Sequence, residues 1–131
     1  GSNTFNEVFG TTKNPWNLSL SAGGSSGGSG AALASGMAWF ATGTDLGGSL
    51  RNPASWNGVV GLRPTPGLIA HGPSKMPFSA FSLNGPMARN IEDLEIFFRA
   101  MISYDSRDPV SVKNSILSKK IVKYDLLLFS E

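Results

Sequence analysis

The sequence has no cysteine, which excludes disulfide scaffolds, thiol nucleophiles and Cys-ligated zinc or iron–sulfur centres together. Its single histidine, His71, puts a multi-histidine metal centre out of reach, so no metal and no cofactor are expected. Charge is also scarce: 15% of residues are charged and the formal net charge is +2. Lysines and arginines do not cluster, which argues against charge-driven binding to nucleic acid or a membrane surface. No apolar run approaches the ~18 residues of a membrane span. The opening Gly1-Ser2-Asn3 lacks a basic, apolar leader, so a cytoplasmic location is expected.

What the sequence has in excess is small residues, 16 of them glycine, in a chain of 131 residues that is 40% hydrophobic. Length and composition predict one globular domain with a modest core. Residues 1–22 are turn-rich and predict an extended or looped entry, and Asn17–Ala22 is a poor strand former. Gly23-Gly24-Ser25-Ser26-Gly27-Gly28-Ser29-Gly30 runs straight into Ala31-Ala32-Leu33-Ala34. A linker would continue into polar sequence, so this reads as a loop feeding a helix of small residues that packs closely on a neighbour.

Residues 38–44 predict a short buried strand, which ends in a second glycine-rich turn, Asp45-Leu46-Gly47-Gly48-Ser49-Leu50-Arg51. Pro53 suits the start of a short helix over 52–57. The prolines at 73, 77 and 86 predict loop with at most a short strand over 68–89, and His71 reads as an exposed loop residue. Asn90 is a good N-cap for a helix over 91–102, whose apolar face is Ile91, Leu94, Phe97, Phe98, Met101 and Ile102. Trp39 and Trp56 read as core, and Ile121–Phe129 as a closing strand.

Only the two Gly/Ser turns carry a chemical signal. Gly23 and Gly28 have P-loop spacing, but Ser29 stands where the phosphate-binding lysine belongs. Gly23–Gly27 and Gly24–Gly28 match the G-x-S-x-G nucleophile elbow, with Asp45 and His71 following in triad order. Any Gly/Ser-rich stretch yields that match, and a strong preceding strand is missing.

Three ordered motifs are more specific: Gly23-Gly24-Ser25-Ser26-Gly27-Gly28-Ser29, then Gly43-Thr44-Asp45-Leu46-Gly47-Gly48-Ser49-Leu50-Arg51-Asn52-Pro53-Ala54, then Gly58-Val59-Val60-Gly61-Leu62-Arg63-Pro64-Thr65. Together they resemble the amidase signature family. The resemblance covers roughly residues 1–110, with the signature over 14–65 and a poor match over 113–131. It implies an α/β fold, a mixed sheet covered by helices, of which residues 1–131 form one partial domain. It implies hydrolysis of a small-molecule carboxylic amide through a Ser–Ser–Lys triad, with Ser49 as nucleophile and Ser25 as a bridging serine after a cis peptide bond from Gly24. It also places the backbone N–H groups of Leu46, Gly47, Gly48 and Ser49 in the oxyanion hole. Ser26 supports the site by hydrogen bonding, while Asp45 and Arg51 hold the two turns together.

The mechanism is chemically sound: a serine hydroxyl needs a base, and burial lowers a lysine pKa enough to serve. The family's lysine lies well upstream of the serine pair. Lys13 is too close to match, and the remaining lysines all follow Ser49. The chain thus reads as a central fragment whose base lies outside it, inactive by itself. The alternatives are a truncated, non-catalytic family member and the glutaminase (A) subunit of a tRNA-dependent amidotransferase, with a stand-alone amidase preferred over the latter. Direct nucleic-acid binding and membrane partners are not expected, and a homo-oligomer stays open.

Overall fold

Residues 27–34 form helix α1 (Gly27–Ala34), and residues 51–57 form helix α2 (Arg51–Asn57). The two helices pack on one another, and the sequence shows why they come so close. A Cβ on Gly30 would lie 2.7 Å from Asn57 Nδ2 and 3.0 Å from the Pro53 carbonyl oxygen. Only a residue without a side chain leaves room for this approach. The small-residue helix therefore has its expected neighbour, and that neighbour is α2.

A computed structural model describes residues 2–113. The chain opens with two hairpins, β1 (Phe5–Asn6) with β2 (Gly10–Thr11) and β3 (Lys13–Asn14) with β4 (Asn17–Ser21). The strand at Asn17–Ser21 corrects the expectation of a poor strand there. Local geometry outweighs its weak propensity: Asn14 Oδ1 accepts the Trp16 N–H at 2.9 Å, and Asn14 Nδ2 donates to the Trp56 carbonyl at 2.7 Å.

A three-stranded sheet lies beneath the helices in the order β5 (Phe40–Asp45), β7 (Leu83–Ala88), β6 (Val60–Gly61). The strand pairs among the described residues are each antiparallel. Strand β5 is not the buried strand expected. Its residues alternate between faces, so Gly43 and Asp45 are buried while Thr42 and Thr44 are exposed. The prolines also predicted too little order, because β7 is a six-residue central strand containing Pro86. Pro86 accepts from the Leu62 N–H at 3.1 Å, so its nitrogen faces the same edge, where β6 contributes only two residues.

The core is small, with Leu33, Leu50, Ala54 and Met87 buried together and Ala38, Ala41 and Val59 packed against them. Helix α3 (Ile91–Met101) covers the sheet. As predicted, Asn90 caps it, accepting the Asp93 N–H at 2.8 Å. Leu94 is buried and Phe97 stacks on Phe40 at 5.1 Å, although Ile91 stays 44% exposed.

The tryptophans correct another expectation. Trp39 and Trp56 are 74% and 51% exposed, and the core is filled by Leu33, Leu50, Ala54 and Met87 without an indole. Trp39 instead lies under the Arg89 guanidinium at 5.3 Å. No helix among the described residues is long and apolar enough to cross a membrane. The strand expected at Ile121–Phe129 lies outside the described residues.

Candidate active site

Both glycine-rich turns end at helix N-termini. Ser25 lies two residues before the start of α1, and Ser49 two residues before the start of α2. Each serine thus sits just ahead of a helix N-terminus, but the first amides of α2 are already engaged, those of Leu50 and Arg51 by Asp45 and that of Asn52 by the Gly48 carbonyl. The Gly24–Ser25 peptide bond is cis. Gly24 is buried, Ser25 exposed and Ser49 half-buried.

The two turns are held side by side by backbone and by Ser26. The Ser26 N–H donates to the Ser49 carbonyl at 3.0 Å. The Ser26 hydroxyl accepts the Thr44 N–H at 3.2 Å and donates to the Thr44 carbonyl at 3.4 Å. Asn57 adds a second tie, since its Nδ2 donates to the carbonyls of Ala22 and Pro53, each at 2.8 Å. Among the described residues, neither the Ser25 nor the Ser49 hydroxyl has a hydrogen-bond partner. Among the described residues the two hydroxyls do not bond to one another, and no lysine or histidine hydrogen-bonds to either.

Asp45 organises the second turn from within and is fully buried. Its carboxylate accepts the Gly48 N–H at 2.7 Å, the Arg51 N–H at 3.3 Å and the Leu50 N–H at 3.4 Å. Arg51 clamps it through Nε at 2.9 Å and Nη2 at 3.1 Å, and Arg63 Nε approaches to 3.6 Å. Burial pushes the Asp45 pKa up. The Arg51 hydrogen bonds, the Gly48 and Arg51 N–H groups and the Arg51 charge outweigh it and hold the carboxyl well below the usual range. Asp45 and Arg51 do form a structural ion pair, but it lies within one turn. The role expected of them, joining the two turns, belongs to Ser26 and Asn57.

This arrangement also sorts the four amides assigned to the oxyanion hole. The Gly48 N–H is held by Asp45, whereas those of Leu46, Gly47 and Ser49 have no partner among the described residues. Gly48 is glycine for two reasons: its φ is +104°, and a Cβ there would meet the Asn52 side chain at 2.9 Å. The Ser–Asp–His alternative is not assembled, because every partner of the Asp45 carboxylate is an arginine or a backbone amide. His71 is half-buried and not freely exposed, since the loop folds back on Asp108. Its backbone N–H donates to Asp108 Oδ2 at 2.7 Å, and its Nδ1 is buried without a partner among the described residues.

Three contributors had no role assigned from sequence: Thr4, Asn57 and Arg63. Arg63 falls inside the third motif, while Thr4 and Asn57 lie outside the three motifs, and their partners lie up to 35 residues away. No local pattern announces such contacts. Among the described residues no group of acidic or histidine side chains is arranged to hold a metal.

Comparison with known proteins bears on the whole chain. The sequence pattern of the family described as Amidase matches residues 1–123. The A subunit of the glutamyl-tRNA(Gln) amidotransferase of Marinomonas sp. (strain MWYL1) is 47% identical over 111 residues, 85% of this chain and 23% of the relative. A 6-aminohexanoate cyclic dimer hydrolase, solved with its substrate, superposes with a TM-score of 0.79 at 38% identity, over 88% of this chain and 24% of that one. The peptide amidase of Stenotrophomonas maltophilia superposes with a TM-score of 0.73 at 35% identity, over 85% of this chain and 23% of that one. The chain thus spans about a quarter of the length of the proteins it matches. Sequence pattern, identity and fold agree: the chain belongs to the amidase family.

Proposed function

We propose that this chain is one partial domain of an amidase-signature hydrolase, cleaving the C–N bond of a small carboxylic amide with a base supplied from outside residues 1–131. Ser49 attacks the amide carbonyl and passes its proton to Ser25, which relays it to a lysine on that other segment. The free N–H groups of Leu46, Gly47 and Ser49 receive the negative oxygen of the tetrahedral intermediate. Donors placed in this way are each worth about 3–4 kcal/mol of barrier. The departing ammonia or amine takes the proton back, and water then hydrolyses the acyl-enzyme.

One observation carries this reading: the Ser26 N–H donates to the Ser49 carbonyl at 3.0 Å. That bond brings the turns of Ser25 and Ser49 together beside three unpartnered amides. The glutaminase reading is favoured by the 47% identity to the A chain of an amidotransferase, and the stand-alone reading by the likeness to a peptide amidase. Both use the same chemistry and differ in substrate.

The test is ammonia and amine release from glutamine, an aliphatic amide and an anilide, measured with the 131-residue chain and with the longest polypeptide encoded around it. Turnover is expected only in the longer polypeptide, lost in Ser49→Ala and strongly reduced in Ser25→Ala. Turnover that survives Ser49→Ala overturns the proposal. Release from glutamine alone selects the glutaminase reading, and no release from any amide selects the truncated, non-catalytic one.

A further inference from the structure

Helix α1 lacks a cap of its own. The first amides of a helix have no partner within it, and the N-cap side chain ordinarily accepts from one of them. Ser26 is the N-cap of α1, yet its side chain makes no capping bond. Its hydroxyl is engaged with Thr44 on β5. The Gly27 N–H donates instead to Thr4 Oγ1 at 3.0 Å, from 23 residues upstream.

The same hydroxyl acts on the other side of Ser25. Thr4 Oγ1 donates to the Gly23 carbonyl at 2.9 Å, with the Ser25 carbonyl at 3.2 Å as a second acceptor. Thr4 is itself anchored, since its carbonyl accepts the Thr12 N–H at 2.9 Å. Beside it, the Ser21 hydroxyl donates to Asn3 Oδ1 at 3.0 Å and accepts the Gly23 N–H at 3.1 Å. The N-terminal segment is therefore a strap whose polar atoms grip the turn before and after Ser25.

We infer that Thr4 is a positioning residue for the Ser25 turn: one hydroxyl, held by the first hairpin, takes the place of the missing helix cap and fixes the backbone on both sides of Ser25. Thr4 makes no bond to either serine hydroxyl, so it acts through the turn and not on the reacting atoms. Valine at this position keeps the shape of threonine but leaves the Gly27 N–H and the Gly23 carbonyl without their partner. Serine keeps the hydroxyl. The inference rests on the reading of Ser25 as the bridging serine.

Two readouts on the longest polypeptide encoded around residues 1–131 separate this inference from that reading. The first is hydrogen exchange of the Gly27 and Ser26 amides by NMR. The second is acylation of Ser49 by p-nitrophenyl acetate, an activated ester, followed by peptide mass. In Thr4→Val the two amides exchange about tenfold faster, and Ser49 acylation slows by about ten- to a hundredfold, the usual penalty for a misplaced group. The Asp93 amide, capped by Asn90 in α3, keeps its wild-type exchange, and Thr4→Ser restores both readouts. If Thr4→Val does not fold, Thr4→Ala repeats the comparison. Wild-type exchange and acylation in the variant overturn the inference, as does failure of Thr4→Ser to restore them. If the wild-type longer polypeptide, which holds the base, is not acylated at Ser49, the catalytic reading falls. Gly27 exchange then decides the positioning role alone: faster exchange in Thr4→Val upholds it, and unchanged exchange overturns it.

Discussion

The Gly48 N–H donates to Asp45 Oδ1 at 2.7 Å, so the carboxylate that shapes the Ser49 turn also removes one of the amides that the family resemblance assigns to the oxyanion hole. Asp45 is buried with two arginines and three backbone amides around it. Asp45→Asn replaces an acceptor oxygen with an NH₂ that faces other donors. Arg51 is itself exposed, so the cost is that of leaving buried amide donors without their acceptor, about 1–3 kcal/mol. A loss of that size is expected in urea unfolding, and a loss below about 1 kcal/mol would show that the turn does not depend on the carboxylate.

Acid should weaken the fold, and the sign follows from the direction of the shifts. Asp45 sits well below its ordinary 3.8, and Asp105 is lowered to about 2 by the Arg107 side-chain and backbone hydrogen bonds. Above 3.8 the stabilisation from both carboxylates is present. Below it the unfolded chain takes up protons first, so stability falls with pH. The share of Asp105 is gone once the pH passes about 2, whereas that of Asp45 persists lower. Unfolding measured between about pH 5 and 2 should show this decline, and Asp45→Asn should make it shallower.

Gly30→Ala gives a test whose sign is informative. Helix propensity alone favours alanine by about 1 kcal/mol. The added methyl, however, would lie 2.7 Å from Asn57 Nδ2, and overpacking costs about 1–3 kcal/mol. A net destabilisation is expected by thermal unfolding, together with faster exchange at Asn57. A stabilised variant would show that α1 and α2 can separate at little cost.

Asn90→Ala removes the acceptor for the Asp93 N–H at the start of α3. The expected loss is about 1 kcal/mol. It should be recovered largely in Asn90→Ser, which can also accept that bond. Equal stability of the alanine variant and the wild type would mean that the sheet, and not the cap, holds the helix end.

Elements built from near neighbours were legible in the sequence. The helix over 91–102 was marked by its N-cap, its acidic first turn and its 3.6-residue repeat. The helix following the Gly/Ser loop was marked by its run of alanines. The strands were less legible for identifiable reasons. Pro86 looked like a breaker because its place beside a two-residue edge cannot be seen along the chain. Asn17–Ser21 became a strand through Asn14, whose side chain reaches Trp56 42 residues away.

The residues proposed to carry the chemistry were written locally. Two glycine-rich turns with a serine at each, and Asp45 next to the second, mark the candidate site by residue type and spacing because backbone freedom and hydroxyl chemistry belong to individual residues. Which side chains tie the two turns together and which threonine caps α1 were settled only by packing. Those bonds join atoms 18 to 35 residues apart. A hydrogen bond is directional and short-ranged, so its partner is chosen by where the helices, hairpins and sheet finally place each donor. Sequence spacing cannot specify that choice.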